Sequence, residues 1–404
     1  MASIQIKNIG PLKDTGVLDF STVNLLIGKQ STGKSTLLKI LSFCHWIEKA
    51  VISGKKIKGQ TAKYAYSHYY RFSQELMQFH RLPEFFFSPD SEIHYNGTAI
   101  SIDFKGRHRN NARIEDKGSA NCGNVKVSFI PSERNLVSAI QNVETDYKQR
   151  VYDMMLNFVR EWDEMRQAYT IDRPLHLTVV PDMEYFYDPS KGDLIRQNGI
   201  KEPFSPFYAS SGVQSSLPLE VIVKGVTDKV GTTVNVSTID INELLNSIAE
   251  GTENALSGLK AKKLRYESSA LFIEEIEQNL FPDAQSALLR ETVAQVKRAQ
   301  DKMPGCHNIL AMTSHSPYIL SELNVLMAAS EAAETDSEAT AKTVPPECIL
   351  PKNSFRAYLV TDDGYVRNII DNGIYMINGN DLDALSGYVE DRLDTLNEII
   401  YSHE

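Results

Sequence analysis

The chain opens on alternation: Ile4, Ile6 and Ile9 are separated by polar positions, a turn follows at Gly10-Pro11, and apolar positions resume from Val17 to Phe20. That pattern predicts an antiparallel pair of strands. The run Val23 to Ile27 is apolar but for Asn24, which predicts a buried strand, and a helix follows from about Lys34 to Trp46. Residues 52–115 are mixed and rich in basic and aromatic side chains. They contain the stretch IHYNGTAISIDF, whose Asn96-Gly97 is a strong hairpin-turn signal. A strand from Val125 to Ile130 ends at Pro131.

From Leu136 to Tyr169 apolar residues recur at helical spacing: Ile140, Val143, Tyr147, Val151, Met155, Phe158, Trp162 and Met165. This predicts a long helix or helical hairpin projecting from the core. Short strands at Glu184 to Tyr187 and Leu194 to Arg196 lead to YASSGVQSSLPLEVIV and a second helical stretch, then to buried strands at Ala270 to Ile273 and Asn308 to Thr313. Residues 328–346, small and acidic, predict a mobile surface loop. The segment RAYLVTDDGYVRNII predicts two edge strands ahead of a closing helix. No internal repeat is evident. The expected organisation is an N-terminal lobe over 1–135, a helical arm and hairpin inserted at 136–204, and a C-terminal lobe over 205–404.

The sharpest chemical signal is Gly28-Lys29-Gln30-Ser31-Thr32-Gly33-Lys34-Ser35, a complete Gly-x-x-x-x-Gly-Lys-Ser pattern between a predicted strand and a helix. Glycines let the backbone wrap an anion so that successive N–H groups point at phosphates, and the helix N-terminus adds partial positive charge. Lys34 reaches the β- and γ-phosphates, and the Ser35 hydroxyl ligates Mg²⁺. In LFIEEIEQNLFP a buried strand delivers two acids at its C-terminal end, where open α/β sheets place ligands. Glu274 is the expected Mg²⁺ holder and Glu275 the group that polarises the attacking water. A third strand, in LAMTSHSPYIL, ends in Thr313-Ser314-His315, and the imidazole is placed to sense a γ-phosphate. Ser210-Ser211-Gly212-Val213-Gln214, opening an apolar helix, is a weaker anion-site pattern.

Composition narrows the class. A length of 404 residues suits one large α/β domain with an inserted lobe, and 42% apolar with 23% charged residues is ordinary for a soluble globular protein. A net charge of −10 argues against indiscriminate nucleic-acid binding while leaving room for a local basic patch. Candidates for such a patch are Lys55-Lys56-Ile57-Lys58, Arg107-His108-Arg109 and Lys260 to Arg265. Cys44, Cys122, Cys306 and Cys348 are scattered, which reads as buried thiols in a reducing compartment and excludes a zinc cluster. The N-terminus lacks a signal-peptide core and no stretch approaches a membrane span. A cytoplasmic location with no membrane contact is the expectation.

Taken in order, the four motifs resemble those of the ATPase heads of the ABC superfamily, in particular the SMC, RecF and OLD-like ATPases of bacteria. GKQSTGKST looks like the Walker A loop, FIEEIEQNLFP like Walker B running into the D-loop, SSGVQ like the signature motif and TSHSPYIL like the histidine switch. The opening IQIKNIGPLKD resembles their first strand pair, and the likeness covers residues 1–45 and about 205–325. It implies an α/β P-loop NTPase fold, an ABC-ATPase-like head with an antiparallel β lobe and a helical insertion. It further implies ATP contacts from Gly28 through Thr36 (Gly28, Lys29, Gln30, Ser31, Thr32, Gly33, Lys34, Ser35, Thr36), and from Ser211, Gly212 and Gln214 of a second subunit. Mg²⁺ would sit on Ser35 and Glu274, with Lys34, Glu275 and His315 catalytic. Such heads form a homodimer or higher oligomer around sandwiched ATP.

Two departures stand out. Val213 occupies the place of a second signature glycine, and no Q-loop glutamine is evident; FIPSERN lies at that point in the order, with Glu133 or Arg134 as its nearest equivalents. No fused Toprim nuclease is apparent, and Asp381-Leu382-Asp383 reads as a surface or capping feature. The expected role is control of a separate effector protein or a DNA transaction, in anti-phage defence or DNA repair. The alternatives are an ATP-binding subunit of a membrane transporter and a nucleotide-gated scaffold with little turnover.

Overall fold

The computed structural model describes residues 2–57, 59–68, 71–108, 112–118, 123–140, 152–233, 265–371 and 373–377. The first strand, β1 (Ser3–Ile9), alternates as expected, and its buried positions include Ile4, Ile6 and Ile9. Its predicted partner is split into β2 (Leu12–Asp14) and β3 (Leu18–Asp19), both antiparallel to it. With β5 (Phe87–Asn96), β6 (Ile100–Lys105) and β7 (Ala112–Asp116) these form an antiparallel sheet in the order β2-β1-β5-β6-β7, β3 lying off that path against β1. The Asn96-Gly97 signal falls at the β5–β6 turn, where the Gly97 N–H donates to the Ile100 carbonyl at 2.9 Å.

A second sheet runs β8-β12-β13-β4-β14-β15, from strands Asn124–Ile130, Tyr266–Ile273, Ile309–Ser314, Val23–Ile27, Phe355–Val360 and Val366–Asn368. All but β15 are parallel, and parallel strands buried on both faces explain the near-continuous apolar runs at β4, β12 and β13. Alternate side chains feed two cores. Leu25, Leu271 and Met312 face one; Leu26, Phe272 and Ala311 face the other, shared with α1 (Lys34–Ile52) and the antiparallel lobe.

Three expectations are corrected. The arm predicted at 136–169 does not project as a continuous helix: α2 (Met154–Arg166) begins afresh at Asp153, whose side chain accepts from the Leu156 N–H at 2.9 Å. Its Phe158, Val159, Trp162 and Met165 are buried against α3 (Ser211–Lys229) and the main core, because apolar residues so closely spaced need a surface to cover them. The positions Val143, Tyr147 and Val151 lie outside the described residues. A hairpin, β10 (Met183–Asp188) with β11 (Gly192–Gln197), and the short β9 (Leu175–His176) beside it, make a small third sheet.

The second correction concerns 328–346. Helix α5 (Pro317–Thr335) follows β13 and runs through the first half of that stretch, and a further turn spans Ser337–Thr340. Alanine is the best helix former, so an alanine-rich acidic segment folds once Met327, Ala329 and Ser330 have somewhere to be buried. Thirdly, of the two strands expected at the edge, β14 is interior, paired parallel to β4, and β15 alone lies at an edge. The expected closing helix and Asp381-Leu382-Asp383 lie outside the described residues, as does Cys122. Cys44 and Cys348 are buried, as read from their scatter, whereas Cys306 is only half-buried. Helix α4 (Pro282–Lys302), between β12 and β13, completes the helical layer.

Candidate functional site

Parallel strands that end in step bring their following loops together. Ile27 of β4 is in register with Ser314 of β13, and Met312 with Ile273 of β12, so loop 28–33, the acids at 274–275 and His315 emerge at one edge of the sheet. Loop 28–33 is built for close backbone approach. Gly28 has φ 150°, and a Cβ there would meet the Val360 carbonyl oxygen at 2.3 Å. Gly33, with φ 111°, opens α1 with no side-chain cap, leaving the helix N-terminal amides unclaimed by side chains. Thr32 Oγ1 donates to the Lys29 carbonyl at 3.0 Å and steadies the turn, while Lys29, Gln30 and Ser31 are exposed and Thr36 is buried.

Lys34 is 4% exposed, and its ammonium donates to the Gly28 and Lys29 carbonyls at 2.8 and 2.5 Å. Burial pulls its pKa down to about 8, against the pull of Glu275 and Glu277 in the other direction. Its Nζ lies 3.4 Å from His315 Nδ1, and His315 Nε2 lies 3.7 Å from Glu275 Oε1. The His315 N–H donates to Glu277 Oε1 at 2.6 Å, fixing the start of the segment after β13. Lys34, His315 and Glu275 thus lie in a row across the site.

The two acids have different surroundings. Glu274 is 2% exposed; Ser35 donates a side-chain hydrogen bond to it, the Ser132 N–H donates at 3.4 Å, and Lys39 Nζ lies 3.6 Å away. Burial pushes its pKa up, with Lys39 and Ser35 opposing. Glu275 is more open and has φ +45°, a left-handed conformation uncommon for a side chain of its size. Its N–H donates to Thr313 Oγ1 at 2.9 Å.

For a divalent cation the fit is good. Ser35 Oγ and a buried Glu274 carboxylate are hard oxygen donors already in contact, the kind and number that Mg²⁺ takes from protein when phosphate oxygens and water supply the rest. Among the described residues no cluster of three His, Cys, Asp or Glu forms a self-sufficient metal site.

The serine-glycine segment stands apart. Ser210 is the N-cap of α3, its Oγ accepting from the Val213 N–H at 3.4 Å, and Ser211 is exposed in the first turn. A Cβ on Gly212 would come within 3.1 Å of the Asn279 carbonyl oxygen, so that turn docks on the segment after Glu275. Among the described residues no hydrogen bond or ion pair joins 211–214 to loop 28–36. Gln214 Nε2 donates to the Pro206 and Phe207 carbonyls at 3.2 and 2.9 Å. In the single chain that amide is engaged with its own loop.

Two residues escaped sequence reasoning. Lys39, one helical turn beyond Ser35, carries no motif of its own, and Glu277 is hidden by the pair before it. Of the basic clusters, Lys58, Arg109 and 260–264 lie outside the described residues. Lys55 Nζ sits 5.0 Å from the centre of the Trp46 ring, and Arg107 pairs with Asp90 at 2.5 Å.

Fold and site together define a mixed α/β protein, with a parallel sheet carrying the glycine loop 28–33 and an antiparallel β lobe packed beside it. Among solved structures the chain is similar to the SMC head domain from Thermotoga maritima, at 10% identity and TM-score 0.35, covering 91% of this chain and 97% of that one. It is similar too to the recombination mediator protein RecF, at 10% identity and TM-score 0.36 with the same coverage. A third is an SMC head bound to the C-winged helix domain of ScpA, at 12% identity and TM-score 0.34, covering 79% of this chain and 90% of that one. Similarity of this degree decides nothing about chemistry, which rests on the residues themselves. No protein-family model and no curated protein matches the chain.

Proposed function

We propose that the chain binds Mg-ATP on residues 28–36 and hydrolyses it, Glu275 accepting the proton of the attacking water. The observation that carries this reading is the convergence of Lys34, His315 and Glu275, at 3.4 and 3.7 Å, beside a glycine loop at a helix N-terminus. Lys34 holds its ammonium against two carbonyls of its own loop, and phosphate oxygens replace them when nucleotide enters. Water attacks the γ-phosphorus as its proton passes to Glu275; the bond from that phosphorus to the β,γ-bridging oxygen breaks, and ADP leaves with the electron pair. His315 bridges the leaving phosphate and Glu275. Ser35 and Glu274 would hold Mg²⁺, which would neutralise charge at the phosphates.

In this reading two heads close on ATP, with Ser211 and Gly212 of one facing the γ-phosphate held on Lys34 of the other. Residues 1–135 and 205–404 form the head, and 136–204 is an insertion into it. A separate effector protein or DNA is the partner that the ATP cycle controls, in defence or repair, in the cytoplasm. Among the described residues no helix is long and apolar enough to cross a membrane.

Glu275→Gln is the test. Phosphate release should fall by about two orders of magnitude while Mg-ATP binding persists, and native mass should double with Mg-ATP. A variant that still hydrolyses removes Glu275 from the mechanism; one that binds ATP tightly as a monomer removes the two-headed site.

A further inference from the structure

Arg134 is fully buried, 0% exposed, yet among the described residues no carboxylate lies in ion-pair contact with it. Its guanidinium is spent on backbone carbonyls. Nη1 donates to Glu274 O at 2.7 Å and Nη2 to Glu275 O at 2.7 Å, with longer contacts to Ile276 O at 3.4 Å and Pro131 O at 3.5 Å. Nε donates to Ser215 O, in the second turn of α3, at 3.0 Å. Three consecutive carbonyls, 274 to 276, therefore converge on one cation. The amides of the same turn face the other way, Glu275 N to Thr313 Oγ1 at 2.9 Å and Ile276 N to Thr313 O at 3.3 Å. The left-handed Glu275 is clamped from both sides, by Arg134 through its carbonyl and by Thr313 through its N–H.

The same guanidinium is tied to α3. A second link runs parallel to it, Asn279 Nδ2 to Ser215 Oγ at 2.8 Å. Asn279 is itself left-handed, with φ 61°. A fully buried charge is retained only where its donors are satisfied, and here the satisfied donors are the ones that define the turn at Glu275. A planar five-donor fork is what this geometry requires, since a single ammonium cannot span Ser215 O and the carbonyls of 274 and 275 together.

We propose that Arg134 is a positioning residue that sets the carboxylate of Glu275 according to where the N-terminus of α3 lies. Displacement of Ser211 and Gly212 by a partner's phosphate is then felt at Glu275 of the same subunit, and hydrolysis at one site depends on engagement at the other. This rests on the ATPase reading above.

The test compares wild type, Arg134→Lys and Asn279→Gly, each full length, by Mg-ATP affinity in calorimetry and by kcat from phosphate release. Glycine at 279 tolerates the positive φ and removes only the side-chain link. Arg134→Lys should lose about tenfold or more in kcat with Kd for Mg-ATP within about threefold of wild type, and Asn279→Gly should lose several-fold in kcat with Kd likewise kept. A purely structural role moves Kd, kcat and melting temperature together, and that pattern overturns the proposal; so does a kcat left unchanged. Should Arg134→Lys fail to fold, Asn279→Gly decides by the same split. A wild type that hydrolyses while both variants match it removes Arg134 alone, whereas a wild type that binds no Mg-ATP removes the ATPase reading and this proposal with it.

Discussion

Lys34 sits at a pKa of about 8 because burial disfavours its charged form, and the sign of that displacement makes opposite predictions for two equilibria. An anionic phosphate stabilises the ammonium, so nucleotide binding raises this pKa and takes up a proton above pH ~8. Affinity for Mg-ATP should be flat below that pH and fall by up to about tenfold per unit above it, as read by titration calorimetry at a series of pH values. Folding without nucleotide goes the other way. Between about 8 and the ordinary lysine value of 10.5 the unfolded chain binds more protons, so this residue's contribution makes stability rise with pH across that window. Lys34→Ala should abolish both effects and weaken nucleotide binding by about a hundredfold or more. Neighbouring Glu274 has its pKa raised by burial, so the pair it forms with Ser35 should lose Mg²⁺ affinity as pH falls, which an isothermal titration at fixed nucleotide would show.

Helices α2 and α3 meet where Gly225 faces Met165, and a Cβ on that glycine would lie 2.5 Å from Met165 Sδ and 3.0 Å from its Cβ. Gly225→Ala should therefore cost about 1–3 kcal/mol of stability through overpacking, despite alanine's better helix propensity. Adding Met165→Ala should return part of that loss, and urea unfolding of the single and double variants gives the coupling directly. At this scale the sequence was readable where a feature is local. The glycine loop 28–33, the β5–β6 turn and the acids after Ile273 are contiguous patterns, and each element appears where its pattern lies. It was unreadable where identity depends on distant partners. Arg134 was named with Glu133 in FIPSERN from its place in the motif order alone; what it does depends on backbone carbonyls at 215 and 274–276, which leave no side-chain signature. Strand β14 has the same alternation whether its neighbour is solvent or β4, and residues 328–346 are polar enough for a loop until α5 gives their alanines a surface.

The molecule as a whole leaves large apolar side chains exposed on the side where α3 begins: Tyr208 is 72% exposed, Phe207 45%, and Phe281, just past Asn279, 77%. Aromatic residues left open together beside the Ser211-Gly212 turn are the kind an interface between subunits uses, which the two-headed reading predicts. Tyr208→Lys should keep Mg-ATP binding by the monomer and prevent the nucleotide-dependent doubling of mass in the Glu275→Gln background, measured by light scattering. A second feature of the whole concerns time. Strand β4, which carries the phosphate loop, is flanked on one side by β13 and on the other by β14, the latter pairing Val23 with Phe355, more than three hundred residues later. At ribosomal speed those partners arrive on the order of half a minute after β4 itself. Until then a strand apolar but for Asn24 has no neighbours, and the loop beside it has no shape. The nucleotide loop of a newborn chain thus takes its shape only after Phe355–Val360 has been made.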